Sequence, residues 1–439
     1  MTGAELKKLA FDKIDALAEK IISIGDTVWK NPEPGYREYK TARLAAETFR
    51  SLGLTTREGL GITGLRADLE SGNPDGPTIA VLGEMDSLIL PDHPQCDPES
   101  GAVHSCGHNA NFAGMLGAAM VLTDPEIAKE LTGRIAFFAV PAEECIEIDK
   151  RLAMMDEKKI SALGGKAELI RCGAFDDVDL AFMLHASSEY GFGAHNGFIT
   201  KRVNFIGRSC HAARPSGGIN ALSAVTVAQC AIGVLRERWA DLNQTVRIHG
   251  VITNGGDVVN IIPNRASMEF LIRADKLETL VKLNREFDRA VRGAAGSVGA
   301  GVEIRTIAGY MPQYDDPLLE DLYCDEVMLL ENTEKRPTGF FHASSTDMGD
   351  LSTIMPTLHG YVSGAAGTSH GIDYYIADPV RAYVNNAKVA AAIAIDLMAD
   401  GAEKARLIAS RREGKLSIEE YIRITDSFNS LIRTDPAEA

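Results

Sequence analysis

Cys106-Gly107-His108 places a thiol and an imidazole two residues apart, and the intervening glycine permits the turn that aims both into one pocket. Before it, an apolar run ends in Glu84-Met85-Asp86; beyond it, a second ends in Pro141-Ala142-Glu143-Glu144. Sulfur, imidazole nitrogen and carboxylate oxygen are the donors that zinc-like cations take, and a hydrolytic site adds a base beside the activated water. Adjacent carboxylates point in different directions, so one can ligate while the other faces that water, and a dication relieves their repulsion. Each feature has a plainer reading alone: Cys-x-His pairs arise by chance, and acidic pairs often open helices. His185 closes the apolar stretch Ala181–Leu184, as a core histidine would, yet it shares the strand-end position of Glu144. His370 lies in the loop Gly367-Thr368-Ser369-His370-Gly371. Together Cys106, His108, Glu144, His185 and His370 supply enough donors for two cations sharing a site.

The elements that must position these residues follow from the pattern. Leu6, Leu9, Ile14, Leu17, Ile21 and Ile22 recur at helical spacing near the start. Thr78–Gly83, Arg134–Val140 and Val178–Leu184 read as buried strands, and 108–123 and Ala382–Met398 as helices. Alternation of this kind predicts an α/β catalytic domain, a mixed sheet layered by helices, with ligands at strand ends. Near residue 200 the order becomes β-α-β-β-α-β, which predicts an inserted ferredoxin-like α+β lid. The expected division is 1–198 with 310–439 for the catalytic domain and 199–309 for the lid. Residues 400–439 read as a charged helical extension, and Ile146–Leu163 carries no assignable role.

Within the lid, His211 sits in Gly207-Arg208-Ser209-Cys210-His211-Ala212-Ala213-Arg214-Pro215, and Asn260 precedes Ile261-Ile262-Pro263. With Arg273 they form a set able to hold an oxyanion and a substrate carboxylate, the guanidinium fork matching the latter. Ordinary loop polarity is the plainer reading of these residues, and for Arg273 alone a structural ion pair accounts for it equally well.

In a chain of 439 residues, a net charge of −16 leaves no surplus of Lys and Arg for a nucleic-acid backbone. The seven cysteines are scattered without framework spacing, the N-terminus lacks a signal-like apolar core, and no apolar run reaches membrane-spanning length. A cytoplasmic protein without membrane partners is expected.

The ordered motifs Glu84-Met85-Asp86, Cys106-Gly107-His108-Asn109, Pro141–Glu144, His185, Gly207–Pro215, Asn260–Pro263, Ser345-Thr346-Asp347-Met348-Gly349 and His370 resemble the metallo-amidohydrolases. That family includes aminoacylases, glutamate carboxypeptidases, auxin-conjugate hydrolases and related dipeptidases. Asn109, the stretch Gly164-Gly165-Lys166 to Gly173-Ala174-Phe175 and the Ser-Thr-Asp loop are most similar to the aminobenzoyl-glutamate hydrolase and β-alanyl dipeptidase branch. The resemblance implies a zinc-peptidase-like catalytic domain and two zinc or manganese ions on Cys106, His108, Glu144, His185 and His370. It further implies Glu143 as general base and Asp86 as an orienting carboxylate. His211 then stabilises the oxyanion, usually in the partner's site, Asn260 and Arg273 hold the substrate carboxylate, and the lid mediates a homodimer. The implied reaction is hydrolysis of the amide bond of a dipeptide or an N-acyl or N-aroyl amino acid. An aminohydrolase releasing ammonia from a small aryl amine would use the same site. A non-catalytic homologue would be expected to have lost donors, and all five remain with Glu143.

Overall fold

From Pro77 onward the strand Asn73–Glu84 is buried along its whole length, as a strand must be when helices cover both sheet faces. It lies between the parallel strands Thr132–Val140 and Leu180–Ser187, and Thr357–Ser363 continues the parallel set. Antiparallel Gly64–Glu70 and Thr55–Leu60 extend one side and the short Gly191–Phe192 and Thr338–Gly339 the other, giving eight strands. The structure, a computed structural model, describes residues 1–239 and 245–437.

The helix His108–Leu122 is buried on every side, in keeping with its lack of a polar face. Gly114 lets the helix Asn386–Met398 come close: a Cβ there would stand 2.0 Å from Asn386 Oδ1. The opening helical pattern is divided at Leu17 into Gly3–Ala16 and Ala18–Lys30, the first begun by a Thr2–Glu5 capping box. Among the described residues no helix is long and apolar enough to cross a membrane.

Two compact units emerge. One comprises Met1–Ala194, Tyr314–His342 and Asp350–Ile418; the other comprises His195–Gln313, Ala343–Gly349 and Glu419–Ala439. The second unit, the lid, is an antiparallel sheet ordered Arg247–Asn254, Arg265–Ala274, Gly197–Ile206, Gly301–Ala308, Ser430–Thr434. Its helices are Ala221–Trp239 and Leu277–Ser297. The first four strands keep the ferredoxin-like sequence of elements expected above.

The fifth is a correction. The sequence pattern puts residues 430–434 in a helical extension, but they form a strand paired with Gly301–Ala308, from Val302 opposite Thr434 to Thr306 opposite Ser430. An edge strand presents a row of unmatched backbone groups, and the tail satisfies them. Helical turns do occupy Glu403–Ala409 and Ile418–Phe428. Positions 240–244 of the lid and 438–439 of the extension lie outside the described residues.

Candidate metal centre

The parallel strands deliver their chemistry at one edge. Glu84 ends its strand level with Val140, and His185 lies level with Tyr361 on the next. Gly107, at φ 92, makes the turn into the helix that His108 opens. A side chain at Gly107 would collide with Tyr374, its Cβ 2.2 Å from the hydroxyl oxygen.

Cys106 Sγ lies 3.5 Å from His185 Nε2 and 3.4 Å from His370 Nε2. His370 Nε2 is in turn 3.4 Å from Glu144 Oε1. His108 Nε2 stands 3.3 Å from Glu84 Oε2, 3.8 Å from Glu143 Oε2 and 4.0 Å from Glu144 Oε1. The donor atoms fall into three overlapping groups: Cys106 with His108 and His185, Cys106 with Glu144 and His370, and Glu84 with His108 and Glu143. All of the residues read as metal donors are therefore together, with Glu143 beside them.

The donor set suits divalent cations of the zinc class. His108 Nε2 and Glu144 Oε1 are buried without a hydrogen-bond partner, which is costly unless something else satisfies them. His108 turns Nδ1 toward Asp86, 2.9 Å from its carbonyl and 3.1 Å from Oδ1, leaving Nε2 facing the cluster. His185 likewise uses Nδ1 on the Ala186 carbonyl at 2.8 Å. Both arrangements fix a tautomer with one nitrogen available.

Charge is unbalanced here. Burial, joined by the nearby Glu144, pushes the Cys106 thiol far above its ordinary range. Burial also raises Glu144, although His370 and His108 pull the other way. His185 is pushed down to about 4 by burial and by His108. Burial works against the His108 cation too, but Glu84, Cys106 and Asp86 outweigh it and hold His108 well above its usual value. A cluster in which burial works against ionising both the thiol and the carboxylate lacks positive charge, and a cation would supply it.

The segment Ile146–Leu163 acquires a purpose from the turn before Glu143. Ala142 adopts φ 50, a left-handed conformation that residues with a side chain seldom take. Its N–H donates to Glu38 Oε1 at 2.8 Å, and its carbonyl accepts from Gly165 N at 3.1 Å and Arg151 Nη1 at 3.4 Å. Thr63 Oγ1 holds the other Glu38 oxygen at 2.5 Å. Arg151, buried on the helix Ile148–Asp156, also donates to the Leu163 carbonyl at 2.7 Å and covers the Tyr36 ring. Burial and the neighbouring Asp86 push the Glu38 carboxyl up to about 7. Sequence reading missed Glu38 and Arg151, because neither stands in a metal-ligand pattern.

His370 differs from the other donors in being exposed and in having φ 63. Its N–H donates to the Ser105 carbonyl at 2.9 Å, and nearby Tyr374 stacks on Trp29. His93, in a loop that carries Pro91, Pro94 and Pro98, faces the Tyr374 carbonyl at 3.0 Å. Asn109 donates through Nδ2 to the Gly25 carbonyl and the Tyr383 hydroxyl.

His211, Asn260 and Arg273 belong to the lid. His211 is exposed, forms an isolated bridge with Ile261, and accepts from Ala213 N through Nδ1. Asn260, also exposed, offers its carbonyl to Ala212 N at 2.9 Å. Arg273 lies over the Phe198 ring and donates to Ser345 Oγ at 3.0 Å. Its link to the Ser345–Gly349 motif joins two stretches that the sequence keeps far apart.

Residues 193–298 match the peptidase dimerisation domain of the M20 family. A mouse Xaa-Arg dipeptidase is 28% identical over 94% of this chain and 93% of its own. A p-aminobenzoyl-glutamate hydrolase polypeptide of Escherichia coli is 28% identical over 70% of this chain and 62% of its own. A Bacillus subtilis dinuclear metal-binding M20 peptidase shares the fold with a TM-score of 0.67, at 18% identity over 88% of this chain and 99% of that one.

The chain is similar to M20 metallopeptidases along most of its length.

The relatives are named dipeptidases, carboxypeptidases and hydrolases, and the chain is a metal-dependent hydrolase of amide bonds. The mixed sheet and the inserted lid expected from the sequence are those of the family fold.

Proposed function

We propose that the protein hydrolyses the amide C–N bond of a small substrate bearing a free carboxylate: a dipeptide, or an N-acyl or N-aroyl amino acid. One observation carries this reading. The Glu143 carboxylate stands beside a cluster of sulfur, imidazole and carboxylate donors that includes His108 Nε2 and Glu144 Oε1, both buried and without a hydrogen-bond partner. Cys106, His108, Glu144, His185 and His370 would hold two divalent cations, zinc or manganese. Bound there, such cations supply an acidified water and a Lewis acid for the carbonyl. Glu143 takes the water's proton and returns it to the leaving nitrogen. Asp86 fixes the tautomer of His108. His211 donates to the developing oxyanion, and Asn260 and Arg273 receive the substrate carboxylate.

The names of the relatives support both substrate types, the mouse protein a dipeptide and the Escherichia coli protein an aroyl amino acid. The lid supports a homodimer through its match to a dimerisation domain and through its exposed Val251, Ile252, Val258, Val259 and Ile261. Seven free cysteines agree with a reducing, cytoplasmic setting.

Dipeptides and N-acyl or N-aroyl amino acids, assayed with added zinc, manganese or cobalt, test the proposal. Release of a free amino acid from at least one of them is expected. Ammonia from an aryl amine as the only product, or no turnover with any metal, would end it.

A further inference from the structure

We infer that Glu84 is a further metal ligand, a carboxylate donor to the cation held by His108, with Lys166 and Asn111 fixing its aim. The inference rests on the metal-centre reading above and extends it.

Glu84 is wholly buried and both of its carboxylate oxygens are held. Lys166 Nζ reaches Oε1 at 2.5 Å, and Lys166 is itself fully buried on the helix Gly165–Arg171. Asn111, one turn into the His108 helix, donates to Oε2 at 2.8 Å and accepts the Glu84 N–H at 2.9 Å. Main chain and side chain of Glu84 are thus clamped by one amide.

The clamp directs Oε2 to a point 3.3 Å from His108 Nε2, the nitrogen that has no hydrogen-bond partner. Two donors about 2.0–2.2 Å from a common cation stand roughly 3–3.5 Å apart. The Glu84–His108 spacing falls in that range, as do the His370 contacts with Cys106 and Glu144, each at 3.4 Å. Glu143 and Glu144 lie farther from His108 Nε2, at 3.8 and 4.0 Å. Glu84 is therefore the nearest of these carboxylates to the available nitrogen.

The competing explanation is that Glu84 serves only to neutralise Lys166, since a buried ammonium without a partner is strongly unfavourable. That role needs one oxygen. It gives no reason for Asn111 to steer the second toward His108. With Oε1 committed to Lys166, Glu84 offers a single oxygen to the cation, and Lys166 tempers the negative charge gathered around it.

Cobalt titration of the metal-free chain separates these roles, since a thiolate–cobalt absorption band reports the Cys106 side independently. The unaltered chain is expected to bind two cobalt ions per chain and to show that band. Glu84→Gln should lose one ion, or bind it at least about tenfold more weakly, while keeping the band. Glu84→Asp, which preserves a charge for Lys166 but withdraws the oxygen by one methylene, should show the same loss with an unaltered thermal melt. The double variant E84Q/K166M removes the stranded ammonium, and the loss should persist in it. Two ions bound to E84Q with unaltered affinity, or full recovery in the double variant, would overturn the assignment. If the unaltered chain binds no cobalt, the metal-centre reading itself falls, a result distinct from any obtained with the variants.

Discussion

Asp86 ties His108 to Glu144. One of its oxygens lies 3.1 Å from His108 Nδ1 while the other accepts the Glu144 N–H at 2.9 Å. A single carboxylate so sets the ring orientation of one donor and the backbone position of another. Burial works to raise Asp86, but contact with His108 and the Glu144 amide prevails and keeps it below the ordinary carboxylate range.

Asp86→Asn keeps the shape but removes the charge. Metal affinity should drop about 10–100-fold. Competition against a chromophoric chelator measures this, and unchanged affinity would show that Asp86 does not orient the site.

Glu143→Gln should lower kcat by at least about 100-fold while two metal ions per chain are retained. Turnover and elemental analysis on one preparation suffice. A variant that keeps full activity removes Glu143 as the base.

Arg151→Met breaks the hold on the Ala142 turn without touching a donor. Stability should fall by about 1–3 kcal/mol, and kcat should fall with metal content unaltered. Urea unfolding beside steady-state kinetics checks both; an unaffected kcat would confine Arg151 to stability.

Away from the metal centre, Glu326 should make stability pH-dependent. Burial raises its carboxyl to about 7, although Lys7, with Nζ 2.6 Å away, pulls it down. A carboxyl whose folded pKa exceeds its unfolded value contributes stability below about pH 4.5 that is lost as pH climbs through about 7. Glu326→Gln should flatten stability across that window in melts taken at successive pH values. A slope identical to that of the unaltered chain would refute the assignment.

Val259 is fully exposed on the lid, close to the exposed Val258 and Ile261. Val259→Asp should shift the proposed homodimer toward monomer in light scattering at low micromolar concentration, with the thermal melt preserved. A dimer that persists would place the interface elsewhere.

The donors were legible because metal chemistry restricts residue types. Glu144 and His185 stand near strand ends that hydrophobic runs reveal, and Cys106 stands in the turn just before an apolar helix. Arg151 and Glu38 were not, since their work is done on the backbone of Ala142, and no pattern of side-chain types announces a left-handed alanine. Lys166 stands out in the sequence only as part of a resembling stretch; its pairing with Glu84 depends on which strands and helices become neighbours. The strand Ser430–Thr434 was hidden for a related reason. Short segments take their conformation from the partner they meet, and here that partner, Gly301–Ala308, lies far back in the chain.

That late strand bears on how the protein can be taken apart. A chimera exchanging only the contiguous stretch 199–309 with a relative would leave Gly301–Ala308 beside a foreign tail, or bare. A clean transplant has to carry two separate pieces of polypeptide, and a fusion placed directly after Thr434 sits against a sheet margin instead of on a loose end.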